Sequence, residues 1–412
     1  MNNVSIIMAR GIEGCGVTKY TVEQVKWLRK HGYNVRVHAA KDKSYSRKNA
    51  HDLGDVNLFK FADSALIDNM IQECNNSDLI IINSLPSKDT GRGAGSGDGC
   101  VENWTRALKA FTKPVILIQH DHTVYSIKRN AALDEAIERA DIIFAHARTN
   151  DFSNYVKQLD GSAGGNLMAF FDDEVKEKKI FPFQPGLDFD ANRAKYWKPV
   201  EEMSLYRHKW IGRCTSWKGY NLMFKWHNEH LKNIGAITTF EGIEKSPAFL
   251  AFKELSPFVN HINTKDPDTV AYEPKSDAYV FGPYVNDEML QRMSRGGFGY
   301  QLSILDQKYI ERSMEYTHCE VVTAGVIPVF RREYGQRCIH RVTGDPLIMS
   351  PNCGTIWLNE ETMDGNRVLV EQITNDPVFF DELRHEAYEF YKAHQDSEFS
   401  FADMMKTIKD NL

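Results

Sequence analysis

The sequence predicts an α/β protein made of two Rossmann-like domains facing each other across a cleft, and three observations carry that expectation. The chain has 412 residues, 42% of them hydrophobic, which is more than a single core usually holds. Short apolar runs alternate with helical patterns in each half, as expected for parallel sheets covered by helices on both faces. Pro182, Pro185-Gly186 and Pro199 punctuate the middle with no long strand or helix pattern between them, so the domain boundary belongs there. The expected domains are 1–190 and 191–385, followed at 386–412 by a C-terminal helix that could cross back to the first.

Taken in order, Val4 to Ala9 reads as the first strand, Lys19 to His31 as an amphipathic helix stopped by Gly32, and Val35 to Ala39 as the second strand. Leu79 to Asn83, Val115 to His120 and Ile142 to His146 are continuous apolar runs, the pattern of strands buried on both faces. Between them, Thr90 to Gly99 is too rich in glycine to hold a fixed shape cheaply and reads as a mobile surface loop, either a bland insertion or a lid or DNA-contacting loop. In the second half Trp210-Ile211-Gly212 ends a strand. Thr238 to Phe240, Ala278 to Phe281, Gly299 to Leu302 and Val326 to Phe330 supply four more. Helical patterns lie at Leu222 to Leu231, Asp287 to Ser294 and Lys308 to Ala324, and Phe379 to Tyr391 and Phe401 to Ile408 close the chain as helices.

Composition excludes several classes. Seven cysteines without a Cys-x-x-Cys pair argue for reduced thiols in a cytoplasmic setting, against a disulfide framework or a zinc site. The first residues lack the apolar core of a signal peptide, and no stretch approaches the roughly 20 apolar residues of a membrane span, so a soluble intracellular protein without a membrane partner is expected. The net charge of -6 gives no general pull toward nucleic acid, yet Lys26, Arg29, Lys30, Arg36, Lys41, Lys43, Arg47 and Lys48 crowd one stretch that holds Asp42 as its sole acid.

Four groups of residues carry chemistry. Gly11-Ile12-Glu13-Gly14-Cys15-Gly16 follows the first strand and precedes the first helix, where a parallel sheet presents backbone amides. These glycines either make a tight turn or let a phosphate or sugar approach at Gly14 and Gly16, and the position favours the second. Their spacing is not that of the dinucleotide fingerprint, and Lys41 stands near where an acid would hold an adenosine ribose, which weighs against NAD or FAD.

Arg213 and Lys218 lie where a strand turns into a helix, a place suited to a diphosphate. Arg supplies a planar fork and Lys a point charge, so the two can stand in for a metal as negative charge builds on a leaving phosphate. Glu320, four helix positions after Tyr316, is the acid expected to grip a ribose, with Glu315 near the sugar or phosphate. That combination looks like the donor half of a nucleotide-sugar glycosyltransferase.

Gln119-His120-Asp121-His122 stands at the C-terminal end of an apolar strand, at the cleft rim. No third ligand of obvious spacing accompanies the two histidines, so no metal site is assigned. The cluster is either a satisfied polar strand end or the reaction centre. In sugar transfer Asp121 would act as acid/base or as partner of the developing oxocarbenium ion, and His120 as a hydrogen-bonding contact. Lys128 and Arg129 lie just beyond and could meet the phosphates of a polymeric acceptor.

The blocks Met8 to Gly11 with Glu13 to Lys19, Ala40 to Ser44, Gln119 to His122, Arg129-Asn130, Trp210 to Arg213 with Trp217 to Gly219, Glu241-Gly242, Ser246 to Phe249, Gly297 to Ser303, Glu315 to His318 and His394 to Ser397 resemble the DNA α-glucosyltransferase family of T-even bacteriophages. The likeness runs almost from end to end. It implies a GT-B glycosyltransferase that moves a sugar, with retention, from a UDP-sugar to 5-hydroxymethylcytosine in double-stranded DNA, shielding a phage genome from host nucleases in the cytoplasm of the infected cell. It also implies that 1–190 is the acceptor side, that 191–385 holds the donor, and that no obligatory metal is needed. UDP-glucose and UDP-arabinose are the candidate donors. By position, Gly14 and Gly16 would approach the donor phosphate or sugar, Asp121 and His120 the reaction centre, Arg213 and Lys218 the diphosphate, and Glu320 the ribose.

Two departures from retaining GT-B enzymes at large concern the sugar contacts. Arg312 stands where the first of two spaced glutamates usually lies, and the usual Gly-x-Pro is stretched to Gly325-Val326-Ile327-Pro328. A base within a stacked pair cannot enter a domain-sized cleft, so the nucleotide is expected to leave the helix, at a cost of a few kcal/mol. Lys41, Lys43, Arg47, Lys128 and Arg129 are the candidate DNA contacts. A transferase with the same donor half but a non-DNA acceptor is the alternative.

Overall fold

Strands form where the sequence is most continuously apolar, and in both halves they assemble in parallel. The computed structural model describes residues 1–9, 11–12, 16–41, 52–84, 100–118, 120, 131–145, 179–182, 185–212, 218–241, 259–262, 278–281, 286–303, 314–351 and 353–412. Met1–Leu187 with Ser397–Leu412 form one unit, and Asp188–Ile310 with Met314–Asp396 the other.

In the first unit β1 (Asn3–Met8), β2 (Asn34–Ala40), β3 (Val56–Phe59), β4 (Leu79–Asn83), β5 (Val115–Ile118), β6 (Ile142–Ala145) and β7 (Ile180–Pro182) make a sheet in the order β3-β2-β1-β4-β5-β6-β7. Every pairing is parallel. Strand order reverses beside β1, which puts the topological switch point between β1 and β4. β4 and β5 are buried at every residue. The helix Gly16–Lys30 ends in a Schellman turn: Gly32 takes φ +82°, its N–H donates to the Arg29 carbonyl at 3.1 Å, and the Tyr33 N–H donates to the Leu28 carbonyl at 3.0 Å.

The second unit repeats the plan with β8 (Ser204–Ile211), β9 (Ile237–Glu241), β10 (Val259–Ile262), β11 (Ala278–Phe281), β12 (Gly296–Gln301), β13 (Ile327–Arg331) and β14 (Ile356–Leu358), in the order β10-β11-β9-β8-β12-β13-β14. All of these pairings are parallel too. Its switch point lies between β8 and β12.

Three expectations need correction. The helix expected from Lys308 to Ala324 begins at Tyr316, because Met314 and Glu315 are not helical and Glu315 takes an extended conformation at the N-cap. The proline-punctuated middle, read as free of long elements, holds the helix Phe189–Tyr196, whose Asp188 cap accepts from the Ala191 N–H at 2.9 Å. The strand expected to reach His120 ends at Ile118. Thr90 to Gly99 lies outside the described residues.

His38, His208 and His318 are among the buried histidines. Burial lowers the pKa of His208 to about 3 and those of His318 and His38 to about 4, the last in spite of Glu73 nearby. The unfolded imidazoles take up protons near pH 6.5, so below that pH the unfolded state binds more protons than the native one. Stability is therefore full above pH 6.5 and is lost as pH falls toward 4, by up to about 1.4 kcal/mol per pH unit for each ring. We expect the urea midpoint to drop steadily between pH 6.5 and 4.5. A flat midpoint across that range would contradict the burial of neutral rings.

Candidate functional site

Polar side chains gather at the switch point of the second sheet. Gly212 closes β8, and Gly219, at φ +74°, is the N-cap of the helix Tyr220–Glu229. A Cβ on Gly219 would run into the Leu302 carbonyl oxygen, so the turn that holds Lys218 sits directly on the chain leaving β12. That close approach places Lys218 beside the residues that follow β12.

Lys218, largely buried, is ion-paired with Glu315. The same carboxylate oxygen, Oε2, accepts from Gln301 Nε2 at 2.8 Å and from Thr317 Oγ1 at 3.4 Å. Gln301 is fixed in turn: its Oε1 accepts from the Ser303 N–H at 2.8 Å, and its Nε2 also donates to Thr317 Oγ1 at 2.9 Å. Glu315 is the N-cap of the helix Tyr316–Thr323; its carboxylate accepts no backbone N–H of the first turn, and it places negative charge at the positive end of that helix. Glu320, on the same helix, is only 3% exposed. His318 lies one turn in, stacked on Tyr334 at 4.3 Å and edge-on to Phe330 at 4.6 Å. The cluster thus offers a cation, an amide and a helix N-terminus at one strand edge, a set of donors suited to an anion.

In the first unit, Gly11 turns the chain after β1, with φ +83° and its N–H on the Met8 carbonyl at 3.0 Å. Gly16 opens the first helix with empty space where a Cβ would stand. His120 lies just past β5, and its ring meets Tyr20 edge-on at 4.7 Å. Tyr20 is anchored by the C-terminal helix Ser397–Asn411: its hydroxyl donates to Met404 Sδ at 3.4 Å, and its ring meets Phe401 at 5.4 Å. Gln24 Nε2 reaches the same sulfur at 3.6 Å, and its Oε1 accepts from Asn83 Nδ2 at 3.0 Å. Asn83 also donates to Thr21 Oγ1 at 2.9 Å, and Ser84 beside it takes φ +63°, where non-glycine residues are uncommon. Burial raises the Tyr20 pKa far above the ordinary phenol value, which keeps the hydroxyl a donor.

Among the described residues the basic stretch divides between the two ends of β2. Lys26 bonds Glu23 at 3.3 Å, Lys30 pairs with Glu398, and Arg29 Nη1 donates to the Leu53 carbonyl at 2.8 Å. These residues stand at the end of the first helix, next to the start of β2, where the Asn34 N–H bonds the Asn2 carbonyl at 2.8 Å. Lys41, exposed, follows the other end of β2, roughly 20 Å away for a strand of this length. Lys41 alone of the candidate DNA contacts is described. Gly14, Asp121, Lys43, Arg47, Lys128, Arg129 and Arg213 lie outside the described residues.

Sequence reading missed Gln301, Ser303 and Thr317 in the second unit, and Tyr20, Gln24, Asn83 and Met404 in the first. One signal was available: Gln301 and Asn83 are polar residues that end otherwise apolar strands beside a switch point.

A family model for DNA alpha-glucosyltransferase matches residues 15–377. The DNA alpha-glucosyltransferase of Enterobacteria phage T4 is 39% identical over 98% of this chain and 99% of its own. An alpha-glucosyltransferase solved in complex with UDP-glucose and DNA containing an abasic site superimposes with a TM-score of 0.83 at 35% identity, over 99% of each chain. Another, in complex with UDP and a 13-mer DNA containing a HMU base, gives the same TM-score and identity over 99% of this chain and 100% of its own. The chain belongs to the DNA alpha-glucosyltransferase family, and its two parallel sheets are the Rossmann-like domains of a GT-B fold.

Proposed function

We propose that this chain transfers a sugar, with retention, from a UDP-sugar to the hydroxymethyl group of 5-hydroxymethylcytosine in double-stranded DNA, in the cytoplasm of an infected bacterium. The observation that carries the reading is end-to-end likeness to the T4 enzyme, combined with a lysine and two carboxylates at the switch point of the second sheet. In this reading Lys218, with Arg213, takes the diphosphate, so that the charge developing on the leaving phosphate meets fixed cations in a site that needs no reorganisation. Glu320, held on the buried face of its helix, receives the ribose hydroxyls, and Glu315 lies near the sugar or phosphate. Gly14 and Gly16 let the donor approach the first unit, where His120 and Asp121 stand at the reaction centre. The leaving phosphate assists attack from the same face, and Asp121 steadies the cationic sugar. Lys41, Lys43, Arg47, Lys128 and Arg129 take the backbone phosphates of DNA from which the target base has been extruded. The transferred sugar is glucose or a pentose such as arabinose.

The direct test offers DNA containing 5-hydroxymethylcytosine together with a panel of UDP-sugars and weighs the released nucleosides. We expect the modified nucleoside to gain one hexose or one pentose residue. Transfer to a free sugar or lipid but not to this DNA would refute the DNA acceptor.

Asp121→Asn should depress kcat by about 10²-fold or more while leaving UDP affinity close to that of the parent, as expected for a group that acts on the transition state. Normal turnover in the variant would remove Asp121 from the reaction centre. DNA affinity, followed against salt, should fall steeply, and Lys41→Ala should lower the slope of log K against log salt by about one. An unchanged slope would take Lys41 off the phosphate path.

A further inference from the structure

In the second unit the donors best suited to an anion are already occupied by a side chain of the protein. A single oxygen of Glu315 is met by the Lys218 ammonium, the Gln301 amide and the Thr317 hydroxyl, at the positive end of the helix Tyr316–Thr323. That is the donor set a phosphate oxygen would meet at the same point. Gln301 is buried and locked by the Ser303 N–H, and Gly219 seats the Lys218 turn on Leu302, so the donors are held in place. Glu315 itself is about one third exposed and precedes its helix in extended backbone, so it is the movable partner.

The geometry points to Glu315 as an internal stand-in for the diphosphate, holding Lys218 in the donor-free protein and leaving it when the nucleotide arrives. This rests on the reading that UDP binds at the second sheet. Two benefits follow for the reaction. A lysine in so buried a place keeps its orientation without a ligand. A diphosphate must then compete with a carboxylate, so the site rejects ligands too weakly charged to displace it, and the nucleotide product is bound less tightly than the bare donor set would bind it. The cost appears as an apparent affinity reduced by the fraction of molecules in which Lys218 is already taken.

The competition has a sign that a supporting role would not share. Calorimetric titration of the full-length parent and of Glu315→Gln with UDP and with uridine separates them. We expect the variant to bind UDP about five- to tenfold tighter, with uridine binding unchanged because uridine carries no phosphate. Weaker or equal UDP binding by the variant would overturn the inference, as would an equal gain for uridine. If the parent binds no UDP at all, the proposed function fails instead, and the two failures are distinct. Should Glu315→Gln not fold, the parent solved with UDP decides the matter. Lys218 Nζ on a phosphate oxygen and more than about 4 Å from the Glu315 carboxylate supports the displacement, and an intact pair beside a bound phosphate refutes it.

Discussion

A parallel sheet covered on both faces leaves almost no room for polar chemistry except where its strands end. In the first unit Ile80, Ile81, Val115, Ile116 and Ile118 are completely buried, and the first polar side chain after the apolar run of β4, Asn83, is tied at once to Thr21 and Gln24. The second sheet ties several of its buried polar groups to one another or to the helix packed on it. His208 Nδ1 meets the Tyr300 hydroxyl at 2.6 Å, which also accepts from Trp226 Nε1 at 3.2 Å, and His227 Nδ1 meets Thr238 Oγ1 at 2.8 Å. Left without a partner in such a place, a polar group costs roughly 1–3 kcal/mol. Polar side chains therefore collect at the strand ends, as Asn83 and Gln301 do beside the two switch points.

Holding such groups steady takes structure on both sides of them. The short helix Tyr316–Thr323, which bears Glu320, is fixed at its start by the Glu315 network and at its finish by Gly325. Gly325 takes φ +76°, and a Cβ there would strike the Trp197 ring. Its carbonyl accepts from Arg384 Nη1 at 3.3 Å, and the same guanidinium donates to the Lys198 carbonyl at 2.9 Å and lies 4.7 Å over Trp197. Arginine keeps its charge even where burial lowers its pKa, so this clamp persists at every working pH. A helix pinned at both ends holds the buried Glu320 with little freedom left to lose.

Legibility followed the same physics. β4, β5, β6 and β11 could be read because a doubly covered strand must be apolar throughout, and the periodic helices because one face must be. β8 could be read only at its end, since Arg207, His208 and Lys209 look like surface until Tyr300 and the Arg292 carbonyl are brought to them by the fold. β7 and β14, at three residues each, are too short for a pattern, and β3 and β10 are broken by polar residues. At the site, Lys218 and Glu320 were legible as charges flanking strand–helix turns. The bond from Lys218 to Glu315 was not, because it spans distant sequence and depends on Glu315 leaving the helix to which its neighbours' propensities assign it. The basic run illustrates a related point: proximity in sequence says nothing about which end of a strand a lysine occupies, and Lys30 and Lys41 stand at opposite ends of β2.

The first unit achieves its steadiness by a longer route. His120 touches Tyr20, Tyr20 rests on Met404 and Phe401, and the helix bearing these is tied down at its own start, where the Ser397 N–H bonds the Leu187 carbonyl at 2.9 Å. Gly186 has no room for a Cβ against Ser397, and Trp27 Nε1 donates to Glu398 at 3.1 Å. The last helix of the chain thus packs onto the first unit at Tyr20, the residue that meets His120. Its hold on Tyr20 passes through a thioether, a weak acceptor that packs like a hydrocarbon, and through ring contacts. Ring and thioether packing thus sets His120 beside Tyr20 in the first unit, whereas an ion pair sets Lys218 beside Glu315 in the second.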